Sequence, residues 1–181
     1  MDQKTLLTLS VTVLLALLGY VATYLYNLRL SQRKDRLGRI NRQLQDLYGP
    51  LYSLVRASSI TWDGFRQKCR PGGAFWDPNN PNSADEAAEW RLWMTTVFMP
   101  LNLRMEKTII EHTDLLDETN MPLCLLMLCA HVSSYKSVIK SWESGDFSRH
   151  TSAVNFPRED LLAYTERVFS KLKAEQTQLL G

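Results

Sequence analysis

From Thr5 to Leu28 the chain carries no side chain that is charged at neutral pH, and this run between Lys4 and Arg29 is built mostly of Leu, Val, Ala and Tyr. At about 1.5 Å per residue it forms a helix of about 36 Å, enough to cross a hydrocarbon core of about 30 Å with modest tilt. A cleavable secretory signal has an apolar core of only about 7–15 residues followed by small residues at the cleavage site. Here the run is longer, and bulky Tyr20 stands two residues before Ala22, the nearest candidate exit. Tyr20, Tyr24 and Tyr26 instead suit an aromatic belt at one bilayer face. The expectation is a retained anchor, residues 1–28 forming tail and span and residues 29–181 a separate helical domain.

Charge sets the expected orientation. Only Lys4 precedes the span among basic residues, whereas Arg29, Arg33, Lys34, Arg36, Arg39 and Arg42 follow it, opposed in that window by Asp35 alone. Positive flanks stay cytoplasmic, so the sequence predicts a single-pass protein of the inner (plasma) membrane, N-terminus outside and domain inside. The same basic cluster sits where anionic lipid headgroups lie, making the bilayer itself a partner. It has no interleaved aromatic residues and abuts the span, which argues against nucleic acid as a partner. The three cysteines, Cys69, Cys124 and Cys129, are an odd number in a domain expected to be cytosolic, so reduced thiols are expected rather than a disulfide framework.

Beyond Arg29 the apolar periodicity is helical throughout, and no alternating pattern of strand length occurs. The fold class read from it is all-α: one transmembrane helix continuing into a bundle of about four helices. Leu30, Arg33, Leu37, Ile40, Leu44, Leu47, Leu51 and Leu54 recur at steps of three and four. Traced backwards, the stripe enters the span as Thr8, Thr12, Ala16, Gly19 and Thr23, small residues that would let another helix approach closely. A parallel homodimer along this seam would bury Arg33 and set Arg29 against Lys34 of its partner, so packing inside the chain's own bundle is favoured for the leucines. Gly49-Pro50 is expected to kink this rod, which continues to about Lys68.

Residues 70–83 read as loop, with Pro71, Gly72, Gly73, Pro78 and Pro81, and Phe75 and Trp76 within it are candidate docking residues. Ser83 to Glu86 has the capping-box pattern, opening a helix towards Leu116 with Trp90, Trp93, Met94, Val97, Leu101, Met105, Ile109 and His112 on its inner face and a kink at Pro100. Asn120 is expected to cap a central helix that runs to about Glu143 and buries Leu126, and Pro157 to open the last helix, with Leu161, Thr165, Val168, Leu172 and Leu179 inward.

No phosphate-cradling glycine loop, nucleophile elbow or Cys-x-x-Cys is present, and the paired Glu-x-x-His motifs of a di-metal bundle are missing. Glu111, His112 and Asp114 form the one acidic–histidine cluster, and His131 reads as a satisfied core histidine. No catalytic residue, cofactor or metal is therefore expected. Tyr48-Gly49-Pro50-Leu51, the segment Trp90 to Asn102 (WRLWMTTVFMPLN) and Asn155-Phe156-Pro157 resemble an uncharacterised set of bacterial single-pass membrane proteins with a cytoplasmic helical domain, along nearly the full length. That resemblance implies membrane location and no assigned activity. The expected function is a membrane-anchored, non-enzymatic interaction module for a protein partner, with an accessory subunit that packs through its span as the alternative.

Overall fold

The computed structural model describes residues 2–69 and 83–181, and all regular structure among them is helical. Two long rods each consist of two α-helical stretches joined by a π-helical turn. The first comprises α1 (Gln3–Arg42), a turn at Gln43–Tyr48 and α2 (Gly49–Cys69). The second comprises α3 (Ser83–Trp93), a turn at Met94–Phe98 and α4 (Met99–Glu111). A short 3-10 turn at Thr113–Leu115 leads to α5 (Leu123–Glu143), and α6 (Arg158–Leu180) completes the set. The result is the expected all-α architecture of four helical rods.

Proline explains both π-helical turns. A proline within a helix lacks the amide proton and drives its ring against the carbonyl four residues back. Pro50 and Pro100 each stand two residues beyond a π-helical turn. In those turns the amide bonds one residue further back, Gly49 N–H to Leu44 O and Met99 N–H to Met94 O. The widened turn makes room for the ring, and the rod runs on instead of stopping. The extra residue also rotates the inner face. In the second rod Met94, Phe98, Asn102, Met105 and Ile109 are buried, whereas Val97 and Leu101, expected inside, are only half-buried.

The four rods pack as a ring: α2 lies against α4 and α6, and α5 against the same two. Consecutive rods are antiparallel. At one end, here called the base, the Gln43 amide donates to Leu115 O (2.8 Å) and Arg33 reaches Leu179 O, so the ends of the second and fourth rods meet the middle of the first. At the distal end Arg158, opening α6, reaches Ser59 and Asp63 of α2. Leu47, Tyr48, Leu51, Met105, Leu125, Leu128, Val132, Leu161 and Leu172 fill the space between, none more than 2% exposed. Each such side chain contributes about 1.5–3 kcal/mol by burial. The leucine seam thus packs inside its own chain from Ile40 onward.

Two expectations for α5 are corrected. Its N-cap is Pro122, whose carbonyl accepts from Leu125 N–H and Leu126 N–H, and not Asn120. Leu126 is 49% exposed and does not belong to the core. The inward face is Leu125, Leu128, His131, Val132, Tyr135, Val138 and Trp142. The helix ends as expected at Ser144-Gly145, Gly145 adopting φ +84° while Asp146 N–H closes back on Ser141 O.

Candidate functional site

Three regions bear on function: the protruding apolar rod, its basic root, and a cavity at the distal end. The described side chains from Val11 to Arg36 are all exposed, and the first ties from this helix to the rest of the chain are those of Arg33 and Arg36. It is long and apolar enough to cross a membrane. On the stripe of small residues, Thr8 Oγ donates to Lys4 O, Thr12 Oγ to Thr8 O and Thr23 Oγ to Gly19 O, at 2.8–2.9 Å. The hydroxyls are spent on the helix's own carbonyls, so Thr8, Thr12, Ala16, Gly19 and Thr23 offer another helix a smooth surface rather than hydrogen bonds.

The basic cluster is largely turned onto the bundle. Arg33 donates twice to Leu179 O (2.6 and 2.9 Å), placing a cation at the carbonyl end of α6, where the helix dipole favours it. Arg36 pairs with Glu175 at 3.0 Å, Arg42 lies 3.6 Å from Asp114, and Arg39 reaches Leu116 O. Among the described residues only Arg29 and Lys34 of the six have no partner, and these remain free to meet an anionic surface. The exposed ion pairs contribute little individually, about 0–1 kcal/mol. Together they fix the base of the bundle against the root of the apolar rod.

The distal cavity, of about 280 Å³, lies between α2, the second rod, α5 and the connection from α5 to α6. Its wall is aromatic. The Trp62 ring meets Trp90 and Phe98 edge-on at 5.9 and 5.8 Å, and Phe156 stands edge-on to His131 at 5.4 Å. Side chains from the helices hold the α5–α6 connection by its carbonyls. Trp142 Nε1 donates to Arg149 O (2.7 Å), while Tyr135 Oη and Trp90 Nε1 both donate to His150 O (2.7 and 3.0 Å). Tyr135 also accepts from Trp90, and burial raises its phenol above the ordinary range.

His131 Nδ1 lies 2.7 Å from Val154 O and 3.0 Å from Ser152 Oγ. A carbonyl only accepts, so Nδ1 carries the proton. Burial lowers the His131 pKa, against a smaller opposing effect of the Val154 bond, which keeps the ring neutral at neutral pH and leaves Nε2 as a bare acceptor. Asn102 is 3% exposed, lines the cavity, and its Oδ1 has no hydrogen-bond partner. Arg158 is held at the rim by Asp63 Oδ2 (2.5 Å) and Ser59 Oγ (2.7 Å).

Sequence reasoning placed His131 in the core but missed this cavity. Asn102 escaped because the π-helical turn shifts it onto the inner face, and the connection at residues 146–155 contributes backbone carbonyls, which leave no residue signature. Phe75 and Trp76 lie outside the described residues. Glu111 and Asp114 are drawn to different cations, Lys107 at 3.7 Å and Arg42, so that cluster does not converge on one point. The three thiols are free, and burial raises the pKa of each, holding them protonated and weakly nucleophilic at neutral pH. Compared with protein-family models, curated proteins and solved structures, the chain matches none.

Proposed function

We propose that the chain is a membrane-anchored helical module that docks a partner protein and has no catalytic role of its own. The apolar rod spans the bilayer, and the excess of Arg29 to Arg42 over Lys4 sets the bundle on the cytoplasmic side. Because Arg33 and Arg36 tie α6 to the root of this rod, the base of the bundle rests on the membrane surface and the distal end points into the cytoplasm. The observation that carries the docking reading is the uncovered outer surface of α4 and α5. Leu103 and Ile110 on α4, with Leu123, Leu126 and Met127 on α5, are exposed, Leu123 by 72%. The two helices pack against each other, and exposed apolar side chains on neighbouring helices support a surface that a partner covers.

The test is a photo-crosslinking residue placed at Leu126 in the full-length chain in living cells, with Lys173 on α6 as the control position. A discrete protein adduct at 126, absent at 173 and lost when Ile110→Asp is added, is the expected result. Identical adducts at both positions, or none at 126, would sink the docking reading.

The accessory-subunit alternative has its own support in the stripe through the span. A Cβ added at Gly19 meets nothing within 4 Å in the chain itself, so Gly19→Leu leaves internal packing untouched and can act only on contacts with another helix. If the span packs against a second copy or another subunit, Gly19→Leu should lower energy transfer between labelled spans in a bilayer about tenfold, while Leu18→Ala changes it little. Equal transfer for wild type and Gly19→Leu leaves the span as a simple anchor.

A further inference from the structure

We propose that the distal cavity is a binding site for a small, uncharged aromatic molecule bearing an N–H or O–H donor. Its volume of about 280 Å³ lies just below the about 300 Å³ at which drug-sized sites begin, which suits a small molecule. The walls given by Trp62, Trp90 and Phe98 present ring faces and edges, the surface that a flat aromatic body matches best. No carboxylate and no lysine lines the cavity, so nothing there would hold a cation. The one guanidinium at its rim, Arg158, is already committed to Asp63 and Ser59, which leaves no free cation for an anion.

The polar requirement comes from Asn102. A buried amide oxygen without a partner is disfavoured, and a ligand that donates to it recovers the missing bond. His131 Nε2 supplies a second acceptor, because its ring is neutral with the proton fixed on Nδ1 by Val154 O. Asn102 Oδ1 and His131 Nε2 are both acceptors, so a ligand that brings a hydrogen can bond to either. An apolar molecule without a donor would fill the space but leave Asn102 as it is.

The probes are indole, which carries one N–H, and 1-methylindole, which has the same ring without it. The full-length chain is placed in lipid nanodiscs with its methionines labelled at the ε-methyl carbon. The Met94 methyl, on the cavity wall, reports occupancy locally and is separated from partition of the probe into lipid. Indole should shift this signal saturably, and 1-methylindole should bind about tenfold more weakly, the scale of one hydrogen bond to a buried group. Asn102→Leu, which keeps the volume and removes the acceptor, should abolish that preference while retaining binding of both. Ser58→Trp, which fills the cavity, should abolish saturable shifts for both. The proposal is overturned if Met94 shows no saturable shift with indole, if the two probes bind wild type equally, or if Asn102→Leu still prefers indole.

Discussion

Leu128→Ala should cost about 2–5 kcal/mol of bundle stability, whereas Leu126→Ala, two residues away on the same helix, should cost less than about 1 kcal/mol. Leu128 is fully buried among the rods and Leu126 is half in solvent. Truncating the first removes buried methyl groups and leaves a cavity that the surrounding helices, tied at both ends by side-chain bonds to backbone carbonyls, cannot close fully. Truncating the second removes surface apolar area and raises helix propensity slightly. Equilibrium urea unfolding of the full chain in detergent micelles, followed by tryptophan fluorescence, measures both. Equal losses for the two variants would mean that α5 is rotated from the orientation described here.

That pair of residues also shows how far the sequence could be read. The periodicity of the chain was sufficient for helix number, approximate boundaries and the inner stripe of α6, where Leu161, Val168 and Leu172 are buried as their spacing implies. It failed on α5 because Leu123 to Ala130 is apolar on nearly all sides. Where every position is apolar, hydrophobic spacing carries no phase, and only contact with neighbouring rods selects Leu125 and Leu128 over Leu126. In the second rod the failure had another origin. An i, i+3, i+4 reading assumes an uninterrupted α-helix, and the wide turn at Met94–Phe98 displaces the pattern locally, exchanging Val97 and Leu101 for Phe98 and Asn102 before Met105 and Ile109 resume the expected stripe. Asn102, displaced in this way, is the residue that gives the distal cavity its unpaired acceptor. Arg33, which looked like a fault in the leucine seam, lies where the seam meets the carbonyl end of α6 and is used there.

Gly49→Ala should destabilise the bundle by about 3 kcal/mol, although alanine is the better helix former. In an ordinary helix interior the same change gains about 0.5–1 kcal/mol, because glycine loses more backbone freedom on folding. Gly64, in α2, is such an ordinary case: a Cβ there meets nothing within 4 Å, and Gly64→Ala should raise stability by that amount. At Gly49 the added Cβ would overlap Leu44 O, the carbonyl that accepts the Gly49 amide and closes the π-helical turn. The obstacle is backbone, so no side-chain rotation relieves it. Retreat to a regular α-helix is closed as well, since the Pro50 ring would then meet the carbonyl of Asp46. The turn must therefore distort where Leu47, Tyr48 and Leu51 are fully buried, and the strain is carried into the core. Unfolding curves for the two alanine variants should move in opposite directions. A stabilising Gly49→Ala would show that the rod passes Pro50 without the wide turn.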